Sequence, residues 1–418
     1  MLGRFALLAV LATAVPAAAA ELPSFQALVD ATPDNGILEP PPGLYAGPVV
    51  ITRPMTVSGE GKVTISGQGK GSVVMIKVDG VKLQGLEIRD SGHAHEALDT
   101  CIRVESSHNV VKDNALQGCL FGIDLQHADN NIIRRNRVKG TMRFEDLRGD
   151  GIRIWYSQNN RIENNVVSDH RDMILEYSQN NIVRGNSVTN GRYGTHFMYA
   201  SNNTAEENFY AYNTVGVFSM YSNNLHVRRN KITHGNGPAA MGIGLKEASG
   251  LVAEDNDIDG NAIGVYLDQS PLDPDNPNNF QGNRFAFNGV AMLYHNDCDG
   301  DSVFGNDFVG NHSQVVVQGG GNALRNRWDG NFWDTYEGFD HAHRGFGESP
   351  FEVWSYADRL WVDVPAAAFF RGSPVMEALD FLSRLAPFSR PRLILRDPRP
   401  AMHEVAVPSR PQAERPKS

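Results

Sequence analysis

The residues best suited to chemistry in this chain are two methionines and a histidine. Met198 and Met220 are 22 residues apart, and His196 precedes Met198 by two positions. If segments of this length stack as strands in register, the two thioethers lie on neighbouring strands about 4.8 Å apart, and the imidazole projects from the same face. Thioether and imidazole ligands together favour Cu(I) over hard cations. The alternative is a sulfur and aromatic patch that the C-terminal segment covers.

Two His-Ala-His sequences are weaker candidates for metal binding. His93/His95 and His341/His343 would each present two imidazoles on one side of an extended strand. Either pair suits transient binding of copper or zinc, although short histidine pairs are also common in loops without metal. The sequence therefore predicts transient Cu(I) and no tightly bound cofactor.

Acid–base chemistry is the rival to metal handling. Asp169, His170, Arg171 and Asp172 are four consecutive polar residues at a predicted corner. A lyase or epimerase needs a base and a charge neutraliser that converge on a groove. No second carboxylate or basic column flanks these residues in register, which favours a hydrogen-bonded turn. The run Asp297, Asp299, Asp301 lacks the glycine and the distal glutamate of a calcium loop, so we interpret it as a polar turn.

The elements that position these side chains are short repeated strands. A recurring motif closes on an asparagine at a common step of 21 or 22 residues, at Asn114, Asn136, Asn165, Asn186, Asn208, Asn230, Asn256, Asn283, Asn306 and Asn326. Such a period is typical of a solenoid. A glycine followed by alternating apolar residues comes about eight residues later, which indicates a strand with one buried face. The chain is therefore predicted to be all-β, with a right-handed parallel β-helix of roughly a dozen coils over residues 45–335.

The register of the coils follows from a column of tyrosines. Four tyrosines recur at steps of 21 or 22 residues: Tyr156, Tyr177, Tyr199 and Tyr221. This register turns eight residues toward the core: Ile152, Met173, Thr195, Val217, Ile154, Leu175, Phe197 and Ser219. It turns another eight outward: Arg153, Ile174, His196, Phe218, Trp155, Glu176, Met198 and Met220.

A second outward column alternates in charge at every rung. Its members are Arg134, Glu163, Arg184, Glu206, Arg228 and Glu254. Opposite charges one rung apart should pair along the rod, each pair contributing a few tenths of a kcal/mol. The column favours a neutral structural surface over a basic groove for an acidic polymer.

The start of the chain predicts export and a cap. Residues 1–20 read as a secretory signal, with Arg4, an apolar run and an Ala-x-Ala end. This predicts a periplasmic protein whose mature form begins near Glu21. Residues 21–44 are predicted to cap the first coil, with a helix over residues 24–31, because an open solenoid end would expose its core.

The end of the chain departs from the repeat. Residues 336–387 are rich in aromatic residues and are predicted to wrap the last coils and to include a helix over residues 375–385. The apolar stripe Val375, Leu379, Leu382 either caps the solenoid or docks on a partner protein. Residues 388–418 are rich in proline and arginine, with little core material, and are predicted to be disordered.

Charge and cysteine content narrow the possible partners. The 418 residues carry a formal net charge of −10, which argues against nucleic acid. Three cysteines are too few for a disulfide framework. Cys101 and Cys119 lie on neighbouring coils and could pair, but the outward place of Cys101 and the misalignment of Cys119 argue against a bond.

Several consecutive motifs resemble the NosD family. They include GDGIRIWYSQNNRIENN, RYGTHFMYASNN and NRWDGNFWDTYEGFD, and in order they occupy residues 149–165, 170–186, 192–203, 215–224, 242–250, 264–271, 326–340 and 373–400. The resemblance covers nearly all of the mature chain. One departure follows Asp340, where a turn of the type DGDGIGDxPY is expected and the chain has HAHRGFGESPF.

The resemblance implies a non-enzymatic periplasmic accessory protein. It implies attachment to an ABC transporter made of a membrane permease and a cytoplasmic ATPase. It also implies cooperation with a lipoprotein copper chaperone in supplying copper, and sulfur as a further option, to apo nitrous oxide reductase. The alternatives are a periplasmic polysaccharide lyase or uronate epimerase, which is fold-level analogy alone, and a purely structural binding rod.

Overall fold

The computed structural model describes residues 21–141, 144, 147–296, 298–355, 373–374, 378, 381–382 and 392–404. The predicted signal at 1–20 lies outside these residues, as do Val375 and Leu379 of the predicted docking stripe. In the described part of the chain, no helix is long and apolar enough to cross a membrane.

The protein is all-β and forms a parallel β-solenoid of about 13 turns, as predicted. One wall is a twelve-stranded parallel sheet: Val49–Ile51, Val74–Ile76, Thr100–Val104, Phe121–Gln126, Ile152–Trp155, Asp172–Glu176, Tyr193–Met198, Val215–Met220, Met241–Lys246, Ile263–Asp268, Val290–His295 and Ser313–Val317. A short 3₁₀ turn, Gln318–Gly320, follows the last of these strands.

The remaining walls form a 24-stranded sheet of two stacks. The first stack contains Gly36–Leu38, Val110–Lys112, Ile132–Arg134, Arg161–Glu163, Ile182–Arg184, Thr204–Glu206, His226–Arg228, Val252–Glu254, Asn279–Gln281, Ser302–Phe304 and Arg327–Asp329. The second contains Gly43–Ala46, Ala115–Gln117, Arg137–Lys139, Val166–Ser168, Ser187–Thr189, Phe209–Ala211, Lys231–Thr233, Asp257–Asp259, Arg284–Ala286, Asp307–Val309 and Phe332–Trp333. Two longer strands, Met55–Ser66 and Lys82–Arg89, belong to both stacks.

The predicted register is confirmed across the coils that carry the candidate ligands. Leu175 pairs with Phe197, and Phe197 pairs with Ser219. All eight residues predicted to face the core are buried. Since side chains alternate along a strand, this register also fixes which residues face away from the core.

Buried asparagines form a ladder along the solenoid. The Nδ2 of Asn136 donates to the Oδ1 of Asn165 at 3.0 Å and to the carbonyl of Val111 at 3.0 Å. The Oδ1 of Asn165 also accepts the backbone N–H of Asn136 at 3.0 Å. The predicted series is wrong at its last position, because Asn306 donates to Asn331 and not to Asn326. The ladder satisfies polar groups at a corner that water cannot reach.

The alternating charge column is in register, but its ion pairs are uneven. Glu206 pairs with Arg184 at 3.7 Å and accepts from Arg228 at 2.8 Å, as predicted. Glu163 instead pairs with Arg161 of its own strand at 2.6 Å. Neighbours within a strand thus compete with the rungs above and below for each carboxylate.

The N-terminal cap begins as predicted and ends earlier. The helix Phe25–Ala31 buries Phe25 and Val29 over the first coil. The solenoid itself already begins at Gly36, inside the predicted cap of 21–44, because Gly36–Leu38 pairs with the strand that begins at Met55.

The prediction of disorder from residue 388 is wrong for residues 392–401. Arg392–Asp397 pairs antiparallel with Phe351–Ser355, and Leu395 and Asp397 are fully buried. Ile394, Leu395 and Asp397 of this strand are buried, a contribution to the core that the proline and arginine content of the segment hid. The hairpin closes the last coil, which places part of the predicted wrapping segment over the end of the rod.

The expectation against a Cys101–Cys119 bond is also wrong. The two residues form a disulfide with a Cα–Cα distance of 5.6 Å. Cys101 is fully buried because the column that it shares with Gly122 faces the core and not the solvent: a Cβ added at Gly122 would clash with the buried side chain of Val138. Cys298 is buried and free.

Candidate functional site

Met198 and Met220 lie side by side on the outer face of the twelve-stranded sheet. They are direct register partners on adjacent strands, and both side chains are half-buried. Their column continues with Glu176 on one side and Lys246 on the other. The two methionines are thus neighbours across adjacent strands, as the register predicted, and such a pair of thioethers is a soft donor set.

His196 faces outward as predicted, but it is buried and not exposed. Only 4% of its surface is accessible, since the rings of Tyr193 and Phe218 lie against it at centroid distances of 4.9 and 5.7 Å. Its Nδ1 lies 3.8 Å from the Oδ2 of Asp172, and neither ring nitrogen has a hydrogen-bond partner. A buried imidazole with two open nitrogens is a group that a metal ion or a proton can satisfy.

An acid–base cluster lies beside His196. Arg192 forms a two-point contact with Asp172, from Nε at 3.0 Å and from an Nη at 2.5 Å. Burial raises the pKa of Asp172, but His196 and Arg192 together hold it below its usual range. Burial, followed by the charge of Asp172, raises the pKa of Asp150 to about 6. Arg171, which donates to Asp150 at 3.0 Å, opposes this rise. Both carboxylates are engaged by arginines.

A second charged group continues the same face toward the N-terminus. Arg153 donates to Asp124 at 3.2 Å and to Glu176 at 3.3 Å. Burial raises the pKa of Asp124, and Arg153 opposes that shift. Along the outer face of the twelve-stranded sheet, the paired charges therefore come first, Ile174 and His196 follow, and the two methionines come last.

The corner at residues 169–172 is a structural turn. Asp169 adopts a left-handed conformation with φ of 59°. His170 is buried, and burial lowers its pKa to about 4, so its ring is neutral near pH 7. Arg171 contacts Asp150, and Asp172 contacts Arg192. Arg171 and Asp172 thus belong to the cluster beside His196, and the expectation that no second carboxylate flanks them is wrong, because Asp150 lies one rung away and contacts Arg171.

The other candidate ligands are not held together. His93 and His95 are exposed in a loop, where the ring of His95 packs against Phe121 at 5.8 Å. The prediction that His341 and His343 share an extended strand is wrong, because His343 has a left-handed backbone with φ of 50°. His341 contacts Glu348 at 3.0 Å. Over the described residues, no group of three or more His, Cys, Asp or Glu side chains could hold a metal ion.

The loop after Asp340 is a turn closed by that carboxylate. Its two oxygens accept the backbone N–H groups of Arg344 at 2.9 Å and Gly345 at 2.7 Å. Those hydrogen bonds, the one from Arg344 foremost, lower the pKa of Asp340. The unusual sequence HAHRGFGESPF thus keeps a tight turn there.

Leu382 is the one member of the predicted docking stripe that the structure describes. It is 52% exposed, and its neighbour Phe381 is 61% exposed. Since Val375 and Leu379 lie outside the described residues, the docking helix and the cap both stay predictions.

A ladder of stacked aromatic rings lies next to the methionines. Its tyrosines served to set the register from the sequence and were not identified there as a surface feature. Its members, His127, Tyr156, Tyr177, Tyr199 and Tyr221, stack face to face at centroid distances of 4.8 to 5.5 Å. Three of the tyrosines are 38 to 43% exposed. The constant spacing of the four tyrosines was the signal for a surface stack.

Known proteins match this chain over most of its length. Residues 135–338 match the family described as "Periplasmic copper-binding protein (NosD)", and residues 43–176 match a family of unknown function, DUF1565. A "Probable ABC transporter binding protein NosD" of Pseudomonas aeruginosa is 27% identical over 391 residues, covering 88% of this chain and 89% of the relative. A relative with the same description from Stutzerimonas stutzeri is 25% identical, covering 83% and 82%. The chain is a NosD-type protein.

Solved structures share the architecture of this NosD-type chain. The A-module of the Azotobacter vinelandii mannuronan C-5 epimerase AlgE6 superposes with a TM-score of 0.57 and 18% identity, covering 72% of this chain and 93% of the module. The alginate lyase AlyF-OU02, in complex with G6, gives 0.50 and 14%, covering 73% and 81%. At such identities the likeness concerns the parallel β-helix and not its chemistry.

Proposed function

We propose that this protein is a periplasmic accessory protein of an ABC transporter complex, and that it assists copper-site assembly in nitrous oxide reductase. The observation that carries the proposal is the NosD family match across residues 135–338, joined to relatives described as ABC transporter binding proteins. In this role the protein is an assembly factor and not an enzyme. Its partners are the permease with its cytoplasmic ATPase, a lipoprotein copper chaperone and the apo-reductase.

Met198, Met220 and His196 are the proposed transfer site for Cu(I). The two thioethers are adjacent on the outer face, and the buried imidazole behind them has no hydrogen-bond partner. Two sulfurs and one nitrogen suit Cu(I), and an open side lets a partner protein take the ion by ligand exchange. His196 must rotate or the rings that cover it must shift for it to join the sulfurs.

Complementation tests the proposed role. A strain that lacks the gene should recover copper-loaded, active nitrous oxide reductase when it receives the wild-type chain. Met198→Leu/Met220→Leu should fail, because leucine keeps the volume and removes the sulfur. Met241→Leu is the matched control, since Met241 is a half-buried methionine on the next strand of the same sheet. Full reductase activity with the double variant would contradict the transfer site.

Polysaccharide chemistry is tested separately. The two buried carboxylates of the cluster are each paired with an arginine, Asp150 with Arg171 and Asp172 with Arg192, so we expect neither to act as a free base. We expect no unsaturated products from alginate or pectin and no change in uronate composition. Release of such products by the purified chain would favour a lyase or epimerase instead.

A further inference from the structure

We propose that the aromatic ladder is the docking surface for a small protein that carries Cu(I) and passes it to Met198 and Met220; this inference rests on the proposed function. Tyr199 and Tyr221 directly follow the two methionines in the chain. A carrier that exchanges ligands with the thioethers must therefore approach within contact distance of these rings.

The backbone of the ladder shows that tyrosine is a costly choice there. All five members adopt the left-handed conformation, with φ between 45° at Tyr156 and 53° at Tyr221. Bulky residues rarely adopt it, whereas asparagine and glycine do so readily. The next corner of the same coils uses asparagine for this conformation, at Asn159, Asn180, Asn202 and Asn224. Bulky aromatic residues thus stand where asparagine would serve the fold.

The ladder also stops where the thioethers stop. Beyond Tyr221 the same corner is occupied by Glu247, Gln269 and Asn296, again with positive φ. A stack that only stabilised the solenoid would stabilise it more by continuing along its length. This stack spans only the coils from His127 to the methionine pair. Its position therefore points to a use shared with the pair.

The chemistry of the surface indicates the type of partner. The residues that follow each tyrosine are uncharged, in the sequences YSQNN, YSQNN, YASNN and YSNN. Exposed ring edges and phenol hydroxyls suit a partner with an apolar rim and carbonyl acceptors. The five rings of the ladder are separated by four steps and span roughly 20 Å, which fits a brief encounter with a small carrier better than a stable complex with a large apoenzyme. Such an encounter should be insensitive to salt.

The experiment compares two routes of Cu(I) loading into the full-length protein. One route uses the soluble domain of the lipoprotein copper chaperone carrying one Cu(I); the other uses a Cu(I)–bicinchoninate complex. For Tyr177→Asn/Tyr199→Asn we expect transfer from the chaperone to slow at least tenfold, with loading from bicinchoninate unchanged. Asparagine suits the left-handed backbone, so the coils should stay folded.

Tyr212→Asn is the matched control, because Tyr212 is 54% exposed and also left-handed but lies at another corner. It should transfer at the wild-type rate. An unchanged rate in the double variant would overturn the proposal. A loss confined to transfer onto the apo-reductase would also overturn it, since it would assign the ladder to the acceptor.

A photo-crosslinking measurement does not depend on the stability of the double variant. p-Benzoylphenylalanine at position 177 should crosslink to the purified Cu(I)-loaded chaperone, and the same group at position 212 should not. No crosslink at position 177 would contradict the proposal. Failure of the proposed function reads differently: Met198→Leu/Met220→Leu would then load Cu(I) as well as the wild type does by both routes.

Discussion

At the scale of single residues, the side chain of Asp301 is a buried carboxyl group at a position where an asparagine amide would carry no charge. Asp301 lies between Asn278 and Asn326 in a second run of stacked residues: its Oδ1 accepts from Asn278 at 3.0 Å, its backbone N–H donates to Asn326 at 3.1 Å, and its Oδ2 has no partner. Burial raises the pKa of Asp301 to about 8. A protonated carboxyl resembles the amide it replaces, with an O–H in the place of the N–H. The sequence reading of this aspartate as part of a polar turn missed this run of stacked residues.

The pH dependence of stability tests this account of Asp301. The folded pKa lies above the usual 3.8, so the folded state holds a proton that the unfolded state has lost. The contribution of Asp301 to the free energy of unfolding is therefore most favourable below about pH 4 and declines as the pH rises toward 8. Asp301→Asn removes this decline, so its gain in free energy of unfolding over the wild type should grow from pH 5 to pH 8. Equal pH dependence in chemical denaturation of both proteins would contradict the account.

At the scale of elements, the strands and their register were predictable because they depend on a strict period. The asparagine step and the tyrosine column place Met198, Met220 and His196 on one face. The burial of His196 was not predictable, because it depends on the rings of Tyr193 and Phe218 that pack over it. The strand Arg392–Asp397 was missed for a similar reason, since its partner lies about 40 residues earlier in the chain.

That C-terminal strand ends the main asparagine ladder with a carboxylate. The Oδ2 of Asp397 accepts the Nδ2 of Asn331 at 2.9 Å, its backbone N–H at 3.1 Å, and the indole N–H of Trp333 at 3.1 Å. Trp333 in turn stacks on Phe351 of the paired strand at 4.4 Å. The hairpin therefore caps the open end through one buried acceptor and one ring stack.

Asp397→Ala should destabilise the end of the solenoid, because three buried donors lose their acceptor at about 1–3 kcal/mol for each unsatisfied group. Asp397→Asn is the matched control, since an amide oxygen can accept as the other rungs do. Hydrogen exchange should quicken in the last coils of the alanine variant and remain slow in the asparagine variant. Uniform exchange in all three proteins would assign the cap to packing alone.

At the scale of the whole molecule, the middle coils of the solenoid carry the methionine pair and the aromatic ladder, and the paired strands Phe351–Ser355 and Arg392–Asp397 close its C-terminal end. The family match over residues 135–338 supports a NosD-like role for this solenoid.

The most direct test of the account is the coordination of Cu(I) in the loaded wild-type protein, measured by copper K-edge X-ray absorption alongside competition titration. For the wild type we expect scattering from sulfur and imidazole ligands. Met198→Leu/Met220→Leu should lose both the sulfur signal and the affinity for Cu(I) measured by competition, and Met241→Leu should match the wild type. A wild-type spectrum that persists in the double variant would contradict the central claim, and it would leave the thioether pair as part of the surface packing.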